Sequence, residues 1–143
     1  MNLRHDAIVL VADGQKYLLL RNQGDFRAPQ LAHVVSSARD GAPSRALGSD
    51  APGRAFSRAG GTPSAVADTD LHSEAEARFA GEAAAALASH AGASGDIVVV
   101  APPRTLAVLR RHYDRNVRTR IVAEVDKDLT KHPVDEIAAI LTR

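Results

Sequence analysis

The segment EVDKDLTKHP, Glu124 to Pro133, crowds Glu124, Asp126, Lys127 and Asp128 into five positions, directly behind the apolar Ile121, Val122 and Ala123. Such a change marks a chain leaving a sheet. Carboxylates gathered where strands end can hold Mg²⁺, and Asp13, Asp126 and Asp128 all fall at expected strand ends. Asp126 and Asp128 are two apart, so in an extended chain both point to one side. Asp13 precedes Gly14, however, and Asp-Gly is equally a turn signal. Metal-dependent hydrolysis by these three is therefore the minor reading. A binding role for Lys127 and Asp128 is favoured, because no nucleophile–base pair accompanies them.

Other chemistry finds little support. None of the six histidines (His5, His33, His72, His90, His112, His132) pairs with another at the i,i+4 spacing of a helical metal site. His33, on an alternating strand, reads as a core-edge residue. The serines lack the G-x-S-x-G elbow, and there is no phosphate-binding or dinucleotide fingerprint. Without cysteine there is no disulfide, thiol nucleophile or thiolate metal site. Neither a cofactor nor a metal is expected.

The elements that must position these residues follow from pattern. A chain of 143 residues with 45% apolar and 24% charged residues fits one domain, spanning 1–143, with a real core. Only 3% is aromatic, so the core must be Val, Ile, Leu and Ala, and base-stacking platforms are scarce. Ala7–Ala12 reads as a buried strand, Asp13-Gly14 as a hairpin turn and Lys16–Asn22 as its partner. Gln30–Val35 supplies a third strand. Ser36–Ala67, rich in Ser, Gly, Ala, Pro and Arg, reads as a long, exposed and mobile loop.

The later half alternates. Ser73-Glu-Ala-Glu76 is a capping box that predicts a helix start, with Glu74–Arg78 and Arg78–Glu82 as ion pairs. Phe79, Ala83, Ala86, Leu87 and His90 fall on one face, and Gly92 and Gly95 end the helix. Asp96–Ala101 is a strand, Pro102-Pro103 opens a helix to about Tyr113, Arg120–Val125 returns as a strand, and Pro133 opens a terminal helix. The last β-α-β unit requires parallel strands. The expected fold is an α/β sandwich with a mixed sheet, an N-terminal β-meander and three helices.

Charge is uneven. Residues 66–96 hold six acidic groups against Arg78, and residues 104–131 hold eight basic groups against four acidic ones. Asymmetry of this kind fits either solvated faces or a partner surface. Arg39, Arg45, Arg54 and Arg58 lie in the long loop, whose composition suits a segment that follows a phosphate backbone. The alternative is a solvated loop in an arginine-rich chain, which has fifteen Arg to three Lys. The apolar run near the N-terminus is too short for a signal-peptide core or a membrane span, so a cytoplasmic protein without membrane association is expected.

Four stretches carry a resemblance: VADGQKYLLLRN, SDAPGRAFS (Ser49 to Ser57), VVVAPPRTLAVLR and EVDKDLTKHP. Together they resemble the bacterial host attachment family, proteins named as required for attachment to host cells, along nearly the whole chain. That family is in turn similar to the central domain of archaeal and eukaryotic peptide-chain release factors. There a loop Gly-Gly-Gln enters the ribosomal peptidyl-transferase centre and positions water against the peptidyl-tRNA ester. Here the matching stretch is Gly60-Gly61-Thr62, which has the glycines and lacks the glutamine. The resemblance therefore implies a module that binds tRNA or the ribosome without hydrolysis. Arg54, Arg58, Gly60, Gly61, Lys127, Asp128 and Lys131 are its expected contact residues. The other reading is a cytoplasmic factor that affects attachment through a protein partner.

Overall fold

Ile8–Ala12 (β1) and Ile97–Ala101 (β4) are apolar at every position and buried at every position. A strand can be so only when both faces of its sheet are covered. A computed structural model describes residues 1–39 and 65–143. The other strands are Lys16–Asn22 (β2), Leu31–Ala38 (β3) and Ile121–Asp126 (β5). They form one five-stranded sheet in the order β3-β2-β1-β4-β5. β1 pairs antiparallel with β2 and β2 with β3, whereas β4 runs parallel to β1 and to β5. The mixed sheet is the expected one.

The helices are Ala65–His90 (α1), Pro103–Arg110 (α2), Arg115–Arg120 (α3) and Val134–Thr142 (α4). Phe79 and Leu87 of α1, Leu106 and Leu109 of α2, and Val117 of α3 pack on Ile8, Leu10, Leu19, Ile97 and Val99. On the opposite face Leu3, Leu129, Ile137 and Leu141 pack on Val9, Val11, Leu20, Val98 and Val100. The alternation of side chains along β1 and β4 divides one apolar run between two cores. Phe79, expected on the inner face of its helix, meets Tyr17 with ring centroids 5.5 Å apart.

Several expectations need correction. The first helix begins at Ala65, not at the capping box, and Ser73 is an exposed residue inside it. Residues 65–72 include neither Gly nor Pro, so the helix continues upstream through them. The expected loop is thus strand at Ser36–Ala38 and helix at Ala65–Ala67, and its middle lies outside the described residues. Among the described residues Glu74–Arg78 and Arg78–Glu82 form no ion pairs; Glu76 pairs instead with Arg104. The helix expected to reach Tyr113 stops at Arg110, and a fourth helix follows because the Asp114 side chain accepts from Val117 N at 2.8 Å and caps α3.

β5 also departs from the strict alternation of a strand, which would group Ile121, Ala123 and Val125 on one side. The register slips instead, with Ile97 opposite Ile121 and Val98 opposite Ala123, leaving Val122 as an extra residue. Ile121 then packs with the α1–α3 layer, and Ala123 and Val125 with the α4 layer. A second irregularity, opposite Leu19 and Leu20, interrupts the alternation of β3. His33 there is exposed on an outer strand rather than at the core edge. Gly92 and Gly95 do close α1, with φ of 69° and 115° that favour glycine. Among the described residues no helix is long and apolar enough to cross a membrane.

Candidate functional site at the strand exits

The parallel strands β1, β4 and β5 all end at one edge, where open α/β sheets commonly bind ligands. Asp13 stands there in the β1–β2 turn. Its Oδ1 accepts from the main-chain N–H of Gln15 and Lys16, each at 2.7 Å. Its Oδ2 accepts from the Thr130 hydroxyl at 2.8 Å. The same hydroxyl lies 3.1 Å from Asp128 Oδ1. A threonine has one hydroxyl hydrogen, so the two carboxylates share a single donor.

This contact fixes the route of EVDKDLTKHP. Leu129 is buried in the α4-side core and Thr130 is 2% exposed. His132 N donates to Leu129 O, closing the turn before α4. With Leu129 and Thr130 anchored, Asp126, Lys127, Asp128 and Lys131 are turned to solvent. Lys127 and Lys131 form no ion pair among the described residues. The charges that crowd this segment mark a strand exit whose apolar members hold the polar ones at the surface.

Asp13, Asp126 and Asp128 do not combine into the cation site considered above. Asp13 is committed to its turn, and Thr130 stands between it and Asp128. Among the described residues no three His, Cys, Asp or Glu side chains gather so as to hold a metal ion.

A small cavity of about 60 Å³ lies beside Asp13, bounded by Gly14, Glu76, Ala80, Arg104 and Thr105. Glu76 Oε1 accepts from Arg104 Nη2 at 2.9 Å, tying α1 to the first turn of α2. A Cβ on Gly14 would come within 3.1 Å of the Glu76 carboxylate, which would have to give by a few tenths of an ångström. Glu76 and Thr130 escaped the sequence reading. Glu76 was assigned to a cap, and nothing in the spacing of Thr130 signals a partner 117 positions away. Of the expected contact residues, Lys127, Asp128 and Lys131 share this edge, while Arg54, Arg58, Gly60 and Gly61 lie outside the described residues.

The model of the bacterial archaeo-eukaryotic release factor family 12 matches residues 6–141. The chain belongs to that family. The match takes in every strand and reaches into α4. It bears out the release-factor relationship read from the four stretches. Three of those stretches supply structural pieces of the family 12 chain, the Asp13 turn, the Arg104 end of the Glu76 ion pair and the Thr130 anchor, and the fourth, Ser49 to Ser57, lies outside the described residues. No curated protein matches the chain.

Proposed function

We propose that this family 12 chain is a non-catalytic release-factor-like module that binds tRNA or the ribosome in the cytoplasm. The observation that carries the reading is membership of a release-factor-related family over residues 6–141. Lys127 and Lys131, exposed at the strand exit, supply cations for phosphates, and Arg54 and Arg58 are two further cations in the sequence, outside the described residues. Gly60-Gly61-Thr62 is the stretch that resembles the Gly-Gly-Gln of catalytic release factors, with threonine in place of the glutamine. Without the glutamine amide, the group that positions water is missing.

The test is co-sedimentation with ribosomes and binding to tRNA at two salt concentrations. Each phosphate contact removed by Arg54→Ala, Arg58→Ala, Lys127→Ala or Lys131→Ala should weaken binding and reduce the salt slope by about 0.7–0.9. Thr62→Gln should not restore peptidyl-tRNA hydrolysis. No binding at low salt, or binding unchanged in all four variants, removes the nucleic-acid reading. The second reading, a protein-interaction factor affecting host-cell attachment, rests on the four stretches shared with that family and would then stand alone.

A further inference from the structure

β5 is the last strand of the sheet, and its outer main-chain groups have no partner strand among the described residues. Its bulge is confined to Val122. From Ala123 to Asp126 the register with β4 is regular, and no strand pairs with the outer edge among the described residues, where Val125 O accepts from Lys127 N at 3.0 Å. Beside this edge runs an open groove of about 690 Å³, bordered by Arg110, Tyr113, Arg118, Val122 and Glu124.

Two features of the groove are unexplained by the fold. Tyr113 is 7% exposed, and its hydroxyl is buried with no hydrogen-bond partner among the described residues. Buried hydroxyls rarely go unpaired. Val122, on the same groove, is a large apolar side chain left 59% exposed. The charges around the groove are uneven. Arg110 is held by Glu124 through bonds of 2.6 and 3.0 Å. Arg118 reaches only the carbonyls of Tyr113 and Arg110, at 3.3 and 3.4 Å. Arg111, Arg115 and Arg118 are exposed and form no ion pair among the described residues.

We propose that the β5 edge docks an extended acidic peptide segment of a partner protein, which joins the sheet as a sixth strand. A free strand edge offers alternating N–H and C=O groups that another main chain matches. Val122 gives an apolar contact for a β-branched side chain. Arg118, which lines the groove, meets the partner's carboxylates, and the exposed Arg111 and Arg115 of the same α2–α3 segment add positive charge. A nucleic acid uses neither the strand edge nor the apolar Val122 side chain. The surface adjoins the first residues of β5, whereas Lys127 and Lys131 lie beyond its last, so this inference is independent of the ribosome reading.

The test is selection of random linear dodecapeptides on the whole protein, followed by amide-shift mapping with a selected peptide. Enriched sequences should alternate Asp or Glu with Val, Ile or Thr, and should shift the amides of Ile121 to Asp126. Arg118→Glu should weaken the selected peptide at least tenfold. Val122→Glu should weaken it severalfold while leaving the urea midpoint nearly unchanged, because Val122 is 59% exposed and its side chain is free to carry a charge into solvent. Failure to enrich peptides, shifts confined to other strands, or affinity unchanged in both variants overturns the proposal. So does a face that binds tRNA through Arg118 and binds no peptide. Loss of ribosome binding in Lys127→Ala with peptide binding intact supports two separate surfaces, and parallel loss of both activities overturns their separation.

Discussion

The Thr130 hydroxyl donates to the Asp13 carboxylate at 2.8 Å, joining two positions 117 residues apart. It locks the exit of β5 to the β1–β2 turn. Thr130→Val keeps the shape and removes the donor, leaving two carboxylates facing a methyl group. The expected cost is about 1–2 kcal/mol, read as a lower urea midpoint. Thr130→Ser should cost less. A Thr130→Val variant as stable as the parent would mean that the turn holds itself.

The chain has two tyrosines, Tyr17 and Tyr113, each 7% exposed. Burial raises both phenol pKa values, and the nearby carboxylates Glu82 and Glu124 raise them further. The unfolded phenol titrates near pH ~10. Below that pH both states keep their protons and stability is complete. Above it the unfolded chain releases protons that the native chain retains, so stability falls as pH rises toward the folded pKa values. Phenolate absorbance should therefore appear together with loss of helical circular dichroism, and Tyr113→Phe should flatten the fall. Phenolate absorbance that appears while the fold is intact would contradict the burial of both rings.

Asn22 is fully buried and binds five main-chain groups. Its Nδ2 donates to Leu3 O at 2.8 Å, Arg4 O at 3.1 Å and Asp25 O at 3.4 Å. Its Oδ1 accepts from Gly24 N at 3.0 Å and Gln30 N at 2.9 Å. One amide thus ties the N-terminal segment to the β2–β3 connection. Asn22→Ala should cost roughly 3 kcal/mol, because several buried groups lose their partner at once. Denaturant unfolding monitored by circular dichroism measures it, and a loss of under about 1 kcal/mol would show that water replaces the amide.

Glu76 pairs with Arg104, whose side chain is 69% exposed. An ion pair that open to solvent contributes about 0–1 kcal/mol. Glu76→Gln should therefore change the melting temperature by little, while Gly14→Val, which forces a side chain toward that carboxylate, should destabilise more. The reverse order would show that the pair, and not the close approach, governs this junction.

Local pattern was enough to locate the five strands, because each is a run of apolar or β-branched residues bounded by turn signals. The Asp13-Gly14 hairpin and the glycines that end α1 were equally legible, since turn geometry depends on the residues in the turn. The start of α1 was not, because a capping box marks a possible end and cannot stop a helix whose upstream residues also favour one. The Val122 bulge was invisible because register is set by the neighbouring strand, and a one-residue slip moves Ile121 from one core to the other. Lys127, Asp128 and Lys131 were readable as exposed charges. That they share an edge with Asp13 through buried Thr130, and that Tyr113 closes beside the free edge of β5, was decided by tertiary packing. These contacts join residues distant in sequence, and only the closure of the sheet brings them within bonding distance.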